Sequence, residues 1–290
     1  MTNASPLLIF GPTASGKSAL AITIAERDNG QIINADSMQV YAELDILSAR
    51  PSRADEARVP HSLYGFVPAQ QAYSVGRYVL DAARAIDEAV QVGRRPIIVG
   101  GTGLYFKALL EGLSPIPAVD EEVRAHWRQM AEIHGANALW QILSERDPQM
   151  AFRLDPNDAQ RIVRALEVID SSGHSLADWQ SQRGSPVIEQ ALCEKLILMP
   201  DRETLHAKAE ARFDAMMAAG ALVEAKRLSD LNLDPGLPAS RALGVAPLVA
   251  AVRGEVTIVD AVSRAKAETR QYIKRQTTWA NGNMMSWTHI

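Results

Sequence analysis

The chain has 290 residues, 47% of them apolar and 22% charged, with a net charge of −4. This composition excludes a mainly disordered chain, and no apolar run reaches the roughly 18 residues that a membrane span needs. One cysteine, Cys193, excludes a disulfide framework and a cysteine-based zinc site. The length allows one large domain or two smaller ones. An isoelectric point near 5.9 argues against coating nucleic acid by bulk charge. The charge is uneven: residues 253–290 hold six Lys or Arg against three Asp or Glu, and residues 112–186 hold seven against eleven. The N-terminus has no basic stretch ahead of its apolar run, so no secretory signal is expected. The expectation is a soluble cytoplasmic protein without membrane contact.

In chain order, residues 6–11 read as a short buried strand and 17–27 as a helix. Asp28-Asn29-Gly30 is a turn, and residues 31–36 are a second strand around Ile32-Ile33. Residues 73–92 form an amphipathic helix, followed by a buried strand at 96–100. From 120 to 182 only helical patterns occur, broken at Asp147-Pro148, Asp155-Pro156 and Ser171-Ser172-Gly173. Residues 192–199 return as a strand, and a long helix spans about 257–280. Strands alternating with helices imply an α/β fold: a mostly parallel sheet with helices on both faces. An all-helical subdomain is inserted. The expected boundaries are a core of 1–112 with 187–290 and an insertion of 113–186.

Gly11-Pro12-Thr13-Ala14-Ser15-Gly16-Lys17-Ser18 has the spacing of a phosphate-binding loop, placed between a buried strand and a helix. Its glycines turn backbone N–H groups inward, and the helix start adds positive potential. Lys17 would meet the terminal phosphates and Ser18 would ligate Mg2+. Phosphoryl-transfer enzymes of this type carry a second acid after an apolar strand. Here Ile97-Ile98-Val99 runs into Gly100-Gly101-Thr102-Gly103 instead. The nearest acid at a strand end is Asp36, which a doubly wound sheet places at the ligand crevice.

These motifs resemble the bacterial tRNA dimethylallyltransferases. The resemblance runs through Gly11 to Ser18, Asp36-Ser37-Met38-Gln39-Val40-Tyr41, Gly100 to Tyr105, Asp155 to Asp158, Arg161 to Glu167 and Arg270 to Trp279, in the right order across nearly the whole chain. It implies a P-loop-type core and transfer of a dimethylallyl group from dimethylallyl diphosphate to the exocyclic amine of an adenosine beside the tRNA anticodon. The phosphate loop would then hold a leaving diphosphate, which would explain the missing second acid. By the same resemblance Asp36 is the base. Thr13 and Arg241 lie around the diphosphate, and Thr102 lies near the target base. The adenine must be flipped out of the anticodon loop into a pocket. Gln39 has both a donor and an acceptor with which to read it. The RNA contacts so implied are Asp36, Ser37, Met38, Gln39 and Thr102 in the core, and Arg124, Gln160, Arg161, Ile162, Val163 and Arg164 in the insertion. Arg161 and Arg164 share one helix face.

Lys266, Arg270 and Lys274 recur at i, i+4 and i+8 in the last helix, a basic stripe expected to grip the anticodon stem-loop. Departures from the family pattern are Val245, where Tyr is common after the glycine of Arg241-Ala242-Leu243-Gly244, and Ser18, where Thr is common. No zinc finger is expected, and no coiled coil suggests anything but a monomer. Three other readings share the loop. A small-molecule or nucleotide kinase needs the missing acid. A prenyltransferase for free adenine nucleotides has no use for the insertion. A non-enzymatic nucleotide-gated RNA-binding switch has no use for Asp36.

Overall fold

A computed structural model describes residues 5–182 and 184–290. Its elements are β1 (Leu7–Phe10), α1 (Lys17–Asp28), β2 (Gly30–Asn34), α2 (Arg53–Arg58), β3 (His61–Ser62), α3 (Val75–Gln91), β4 (Arg95–Gly100), α4 (Gly103–Glu111), α5 (Glu121–Arg146), α6 (Pro148–Arg153), α7 (Ala159–Ser172), α8 (Leu176–Ser181), β5 (Glu194–Ile197), α9 (Arg202–Ala218), α10 (Ala221–Asp230), α11 (Val245–Val252), α12 (Ile258–Asn283) and β6 (Thr288–His289). The chain divides into two compact units. One holds the described residues up to Leu110 together with Val187–Ile290, and the other is Glu111–Pro186.

The first unit is built on a six-stranded sheet in the order β3-β2-β4-β1-β5-β6. Every strand pair is parallel, including the short edge strand β6, which pairs with β5. The apolar runs 7–10 and 97–99 lack polar alternation because both faces are covered. Leu8, Phe10, Ile33 and Ile98 face a core with α3, α10, α11 and α12. Leu7, Ile9, Ile32, Ile97 and Val99 face α1. The helix expected from residue 73 starts at Val75, because the Ser74 side chain accepts from Arg77 N and caps it.

The second unit has its own apolar core, with Trp127, Leu139, Leu143, Ile162 and Leu166 buried together. The helical run at 120–182 is four helices. Gly135, at φ 76°, interrupts α5. The Asp147 side chain caps α6 at Met150 N, with Pro148 in its first turn. The Asp158 side chain caps α7 at Arg161 N, and left-handed Gly173 ends it.

The parallel register lines up the carboxyl ends of β1, β4 and β2. Gly11 N donates to Gly100 O, Ala35 N to Val99 O, and Thr102 N to Ala35 O. The end of β4 therefore lies between the phosphate loop and the segment that carries Asp36.

Candidate active site

The loop Gly11–Ser18 follows β1 and runs into the start of α1. Ala14 and Gly16 adopt φ of 66° and 93°. Gly16 precedes α1 in the left-handed region, which glycine adopts without Cβ strain. Lys17 Nζ donates to Pro12 O at 3.3 Å, so the side chain folds back across the loop. Ser15 Oγ is buried with no hydrogen-bond partner among the described residues. A buried hydroxyl without a partner inside such a loop is available to donate to an anion.

Across the β4 end, Asp36 sits in a turn. Its Oδ1 accepts from Met38 N at 2.9 Å, while no donor meets Oδ2 among the described residues. Asn34, fully buried, accepts from Asp36 N and donates to the carbonyls of Asp36 and Leu63, which fixes the turn. Ser37 N donates to Thr102 Oγ1 at 2.9 Å, tying the turn to the residue that follows Gly100-Gly101. A Cβ at Gly100 would lie 2.0 Å from Ala35 O, so only glycine allows the two strand ends to approach this closely.

Gln276 of α12 joins both sides. Its Oε1 accepts from Thr13 N and its Nε2 donates to Gly101 O, each at 2.9 Å. Sequence reasoning assigned Gln276 no role, although it lies in the quoted run from Arg270 to Trp279. Replacing it with Ala leaves a buried donor and a buried acceptor unpaired. We expect Gln276→Ala to cost about 2–5 kcal/mol, read as a lowered denaturation midpoint at unchanged m.

Burial pulls the Lys17 ammonium down to about 8; Asp36 opposes this and Arg212 adds to it. Arg212 is likewise lowered, chiefly by burial, with Asp36 acting against it. Three phenols are each held above the usual tyrosine value by burial first and by Asp36 second: Tyr64, Tyr105 and Tyr272. The Tyr105 ring stacks on Tyr78 with centroids 3.7 Å apart. The charge of Asp36 thus acts on three phenols and on the Lys17 and Arg212 cations. Tyr105 and Tyr272 lie in the quoted runs Gly100 to Tyr105 and Arg270 to Trp279, but their grouping with Tyr64 and Arg212 is tertiary.

Several expected site residues are placed differently. Ile162 and Val163 are buried in the core of the helical unit, so their side chains cannot meet RNA; the apolar face of α7 takes them. Gln39 Nε2 is committed to the carbonyls of Ser48 and Ala49, which leaves only its oxygen for a ligand. Arg241 Nε donates to Pro235 O. It lines a cavity of about 530 Å³ with Val245, Val249, Glu268 and Arg275, to which no phosphate-loop residue contributes. The basic stripe is largely paired: Lys266 with Asp214 at 2.7 Å and Arg270 with Glu210 at 2.5 Å. Lys274 has no ion pair among the described residues. Arg124 pairs with Glu121, Arg161 with Asp158 and Arg164 with Glu167, all at i, i+3.

For Mg2+, the described residues contain no group of three His, Cys, Asp or Glu side chains that could hold a metal. The donor near the loop is the exposed Ser18 hydroxyl. One hydroxyl suits an ion that keeps several waters and takes most of its other ligands from substrate phosphates.

The IPP transferase family model matches residues 39–283, and an isopentenyl transferase model matches residues 5–61. The chain is 49% identical over 284 residues to the tRNA dimethylallyltransferase of Chelativorans sp. (strain BNC1), covering 98% of this chain and 97% of that one. It is 50% identical over 273 residues to the tRNA dimethylallyltransferase of Mesorhizobium japonicum, covering 94% of this chain and 85% of the relative. Among solved structures, the full-length tRNA isopentenylpyrophosphate transferase of Bacillus halodurans superposes with a TM-score of 0.69 at 32% identity, over 99% of this chain and 89% of that one. A eukaryotic dimethylallyltransferase acting on tRNA superposes with a TM-score of 0.77 at 26% identity, over 96% of this chain and 70% of that one. With a family model spanning most of its length and relatives at half identity along nearly all of it, the chain belongs to the IPP transferase family.

Proposed function

We propose that this protein transfers the dimethylallyl group of dimethylallyl diphosphate to N6 of the adenosine adjacent to the anticodon in tRNA, releasing diphosphate. One observation supports this above all. The β4 end brings a phosphate loop and the half-free carboxyl of Asp36 to opposite sides of Gly100–Thr102, and β4 is followed by no acid. A kinase on this sheet would place a metal-holding acid there.

The chemistry follows from the groups present. The allylic C–O bond breaks as the C–N6 bond forms, and positive charge develops on the prenyl carbon while negative charge develops on the leaving oxygen. Inward N–H groups, Ser15 Oγ and Lys17 stabilise the diphosphate. Ser18 would hold Mg2+, which would supply further neutralisation of the diphosphate charge. The N6 proton passes to Asp36 Oδ2, the oxygen left without a donor. Tyr64, Tyr105 and Tyr272 keep the surroundings poor in water, which would otherwise capture the allylic carbon. Thr102, held by Ser37 N, faces the same turn and positions the flipped base. The enzyme acts on this reading as a cytoplasmic monomer.

Contacts to the tRNA backbone fall to cations in both units, among them Arg124, Arg161, Arg164 and Lys274. The carboxylates paired with Lys266 and Arg270 blunt the first two positions of the α12 stripe. Arg161→Ala with Arg164→Ala is therefore expected to weaken tRNA binding and flatten its salt dependence by about two counterions, whereas Lys266→Ala changes little. Filter binding between about 50 and 200 mM salt checks this. The test of the activity is incubation with dimethylallyl diphosphate labelled in the allyl carbon, Mg2+ and total tRNA. Label recovered on a hydrophobic adenosine after nuclease digestion supports the reading. Label on free adenine nucleotides, or none on RNA, overturns it.

A further inference from the structure

Helix α12 runs past both halves of the site. Ile273 packs with Leu205 and Ala209 of α9 against Ala14 of the phosphate loop. Gln276 and then Trp279 each follow three residues later, so each is the next one's neighbour on the helix surface. A Cβ at Gly101 would lie 2.3 Å from Gln276 Nε2, and one at Gly103 would lie 2.2 Å from the Trp279 ring. Glycine at these two positions lets α12 close on the end of β4.

Gln276 is 5% exposed, and its amide is spent on the two sides of the site at once: Oε1 on Thr13 N, Nε2 on Gly101 O. The N–H of Thr13 is therefore held by α12 rather than turned toward an anion. Beyond Gly101, Thr102 Oγ1 accepts from Ser37 N, and Met38 N donates to Asp36 Oδ1. Hydrogen bonds and single backbone steps thus run without a break from the phosphate loop to the carboxyl of Asp36. A second, longer bond joins the loop to β4, from Gly11 N to Gly100 O at 3.3 Å. The diphosphate belongs to the loop, and the flipped base belongs to the turn of Asp36 and Thr102. Each needs only its own side in order to bind. Transfer needs the distance between the sides, because the allylic carbon and N6 must meet at about 3–3.5 Å, and a 1 Å misplacement can cost about 10²-fold.

We propose that Gln276 is a positioning residue, whose amide sets the phosphate loop against the β4 end and so fixes the allylic carbon opposite N6. This rests on the reading of the site as a prenyl-transfer centre. Gln276 acts through Thr13 and Gly101, and moves no proton.

The test uses the full chain with dimethylallyl diphosphate, Mg2+ and tRNA, in single turnovers below the unfolding midpoint of every variant. In Gln276→Glu one oxygen can still accept from Thr13 N. The other faces Gly101 O, donating when protonated and repelling when ionised. Burial and that carbonyl raise the carboxyl above its ordinary value. Lys17, Asp36 and Arg212 are common to both proteins, so the ratio of the Gln276→Glu rate to the wild-type rate isolates the new carboxyl. That ratio is expected near one at the acid end, falling on the order of 10-fold or more as the carboxyl ionises. Gln276→Met, without either bond, is expected to lose on the order of 10²-fold in rate at every pH. Both variants should bind inorganic diphosphate and tRNA within about threefold of wild type. A ratio that does not change with pH, or a wild-type rate in Gln276→Met, overturns the proposal and leaves the transferase reading intact. Losses of diphosphate and tRNA affinity as large as the loss of rate also overturn it, since they mark a general structural role. Absence of transfer to tRNA by the wild type overturns the reading of the site, and the proposal with it.

Discussion

Asp36→Asn should lose about 10²–10⁴-fold in single-turnover rate while its tRNA dissociation constant stays within about twofold. The substitution is nearly isosteric, and an amide oxygen at this position can still accept from Met38 N. The turn held by Asn34 and Thr102 therefore survives. What is lost is the second oxygen, which has no donor among the described residues and is free to take a proton. An aromatic amine is a weak nucleophile and must shed its proton as the new bond forms, so the loss appears in kcat rather than in binding. Rapid-quench assays with saturating tRNA, alongside filter binding, check both halves. Turnover close to wild type would mean that the proton leaves by another route.

Lys17→Met should reduce kcat/KM for dimethylallyl diphosphate by about 10²–10³-fold, because it removes the cation whose side chain folds back across the phosphate loop. The same lysine sets a pH dependence. Burial holds it at about 8 in the free protein, so it is charged below that pH and neutral above it. A bound anion favours the charged form and raises the value again. Diphosphate binding therefore needs no proton uptake well below pH 8 and takes up one proton above it. Affinity should fall above about pH 8, by up to tenfold per pH unit until the bound-state value is reached. Calorimetry in buffers of different ionisation enthalpy reads the proton directly. Lys17→Met should show weaker binding without this dependence.

The parts of the site legible in the sequence are those that local geometry dictates. A strand, a glycine-bearing turn and a helix at the spacing of residues 11–18 leave the backbone few alternatives. An acid two residues past the end of a strand centred on Ile32-Ile33 has to emerge at the carboxyl edge of a parallel sheet. The turn role of Asp36 occupies one carboxyl oxygen and leaves the other without a donor among the described residues.

What the sequence concealed is tertiary. Spacing shows that Lys266, Arg270 and Lys274 share a helix face, but not that α9 presents Glu210 and Asp214 to two of them. Gln39 reads as a free amide until residues 48 and 49 fold back onto it. Glu224 of α10, for which the sequence offers no signal, is 3% exposed and accepts from the backbone N–H groups of Asp45, Ile46 and Leu47, which anchors the loop that Gln39 grips. Arg161-Ile162-Val163-Arg164 is half legible: a four-residue run in a helix must turn some of its side chains inward, and here Ile162 and Val163 take the core.

The measurement closest to the centre of the account counts what leaves the phosphate loop. Purified protein, tRNA and dimethylallyl diphosphate are followed by phosphorus NMR, with prenylated adenosine quantified in parallel. The account predicts one inorganic diphosphate released intact for each adenosine modified, with no requirement for a nucleoside triphosphate. Orthophosphate appearing from a nucleoside triphosphate, with the adenosine unmodified, would contradict it.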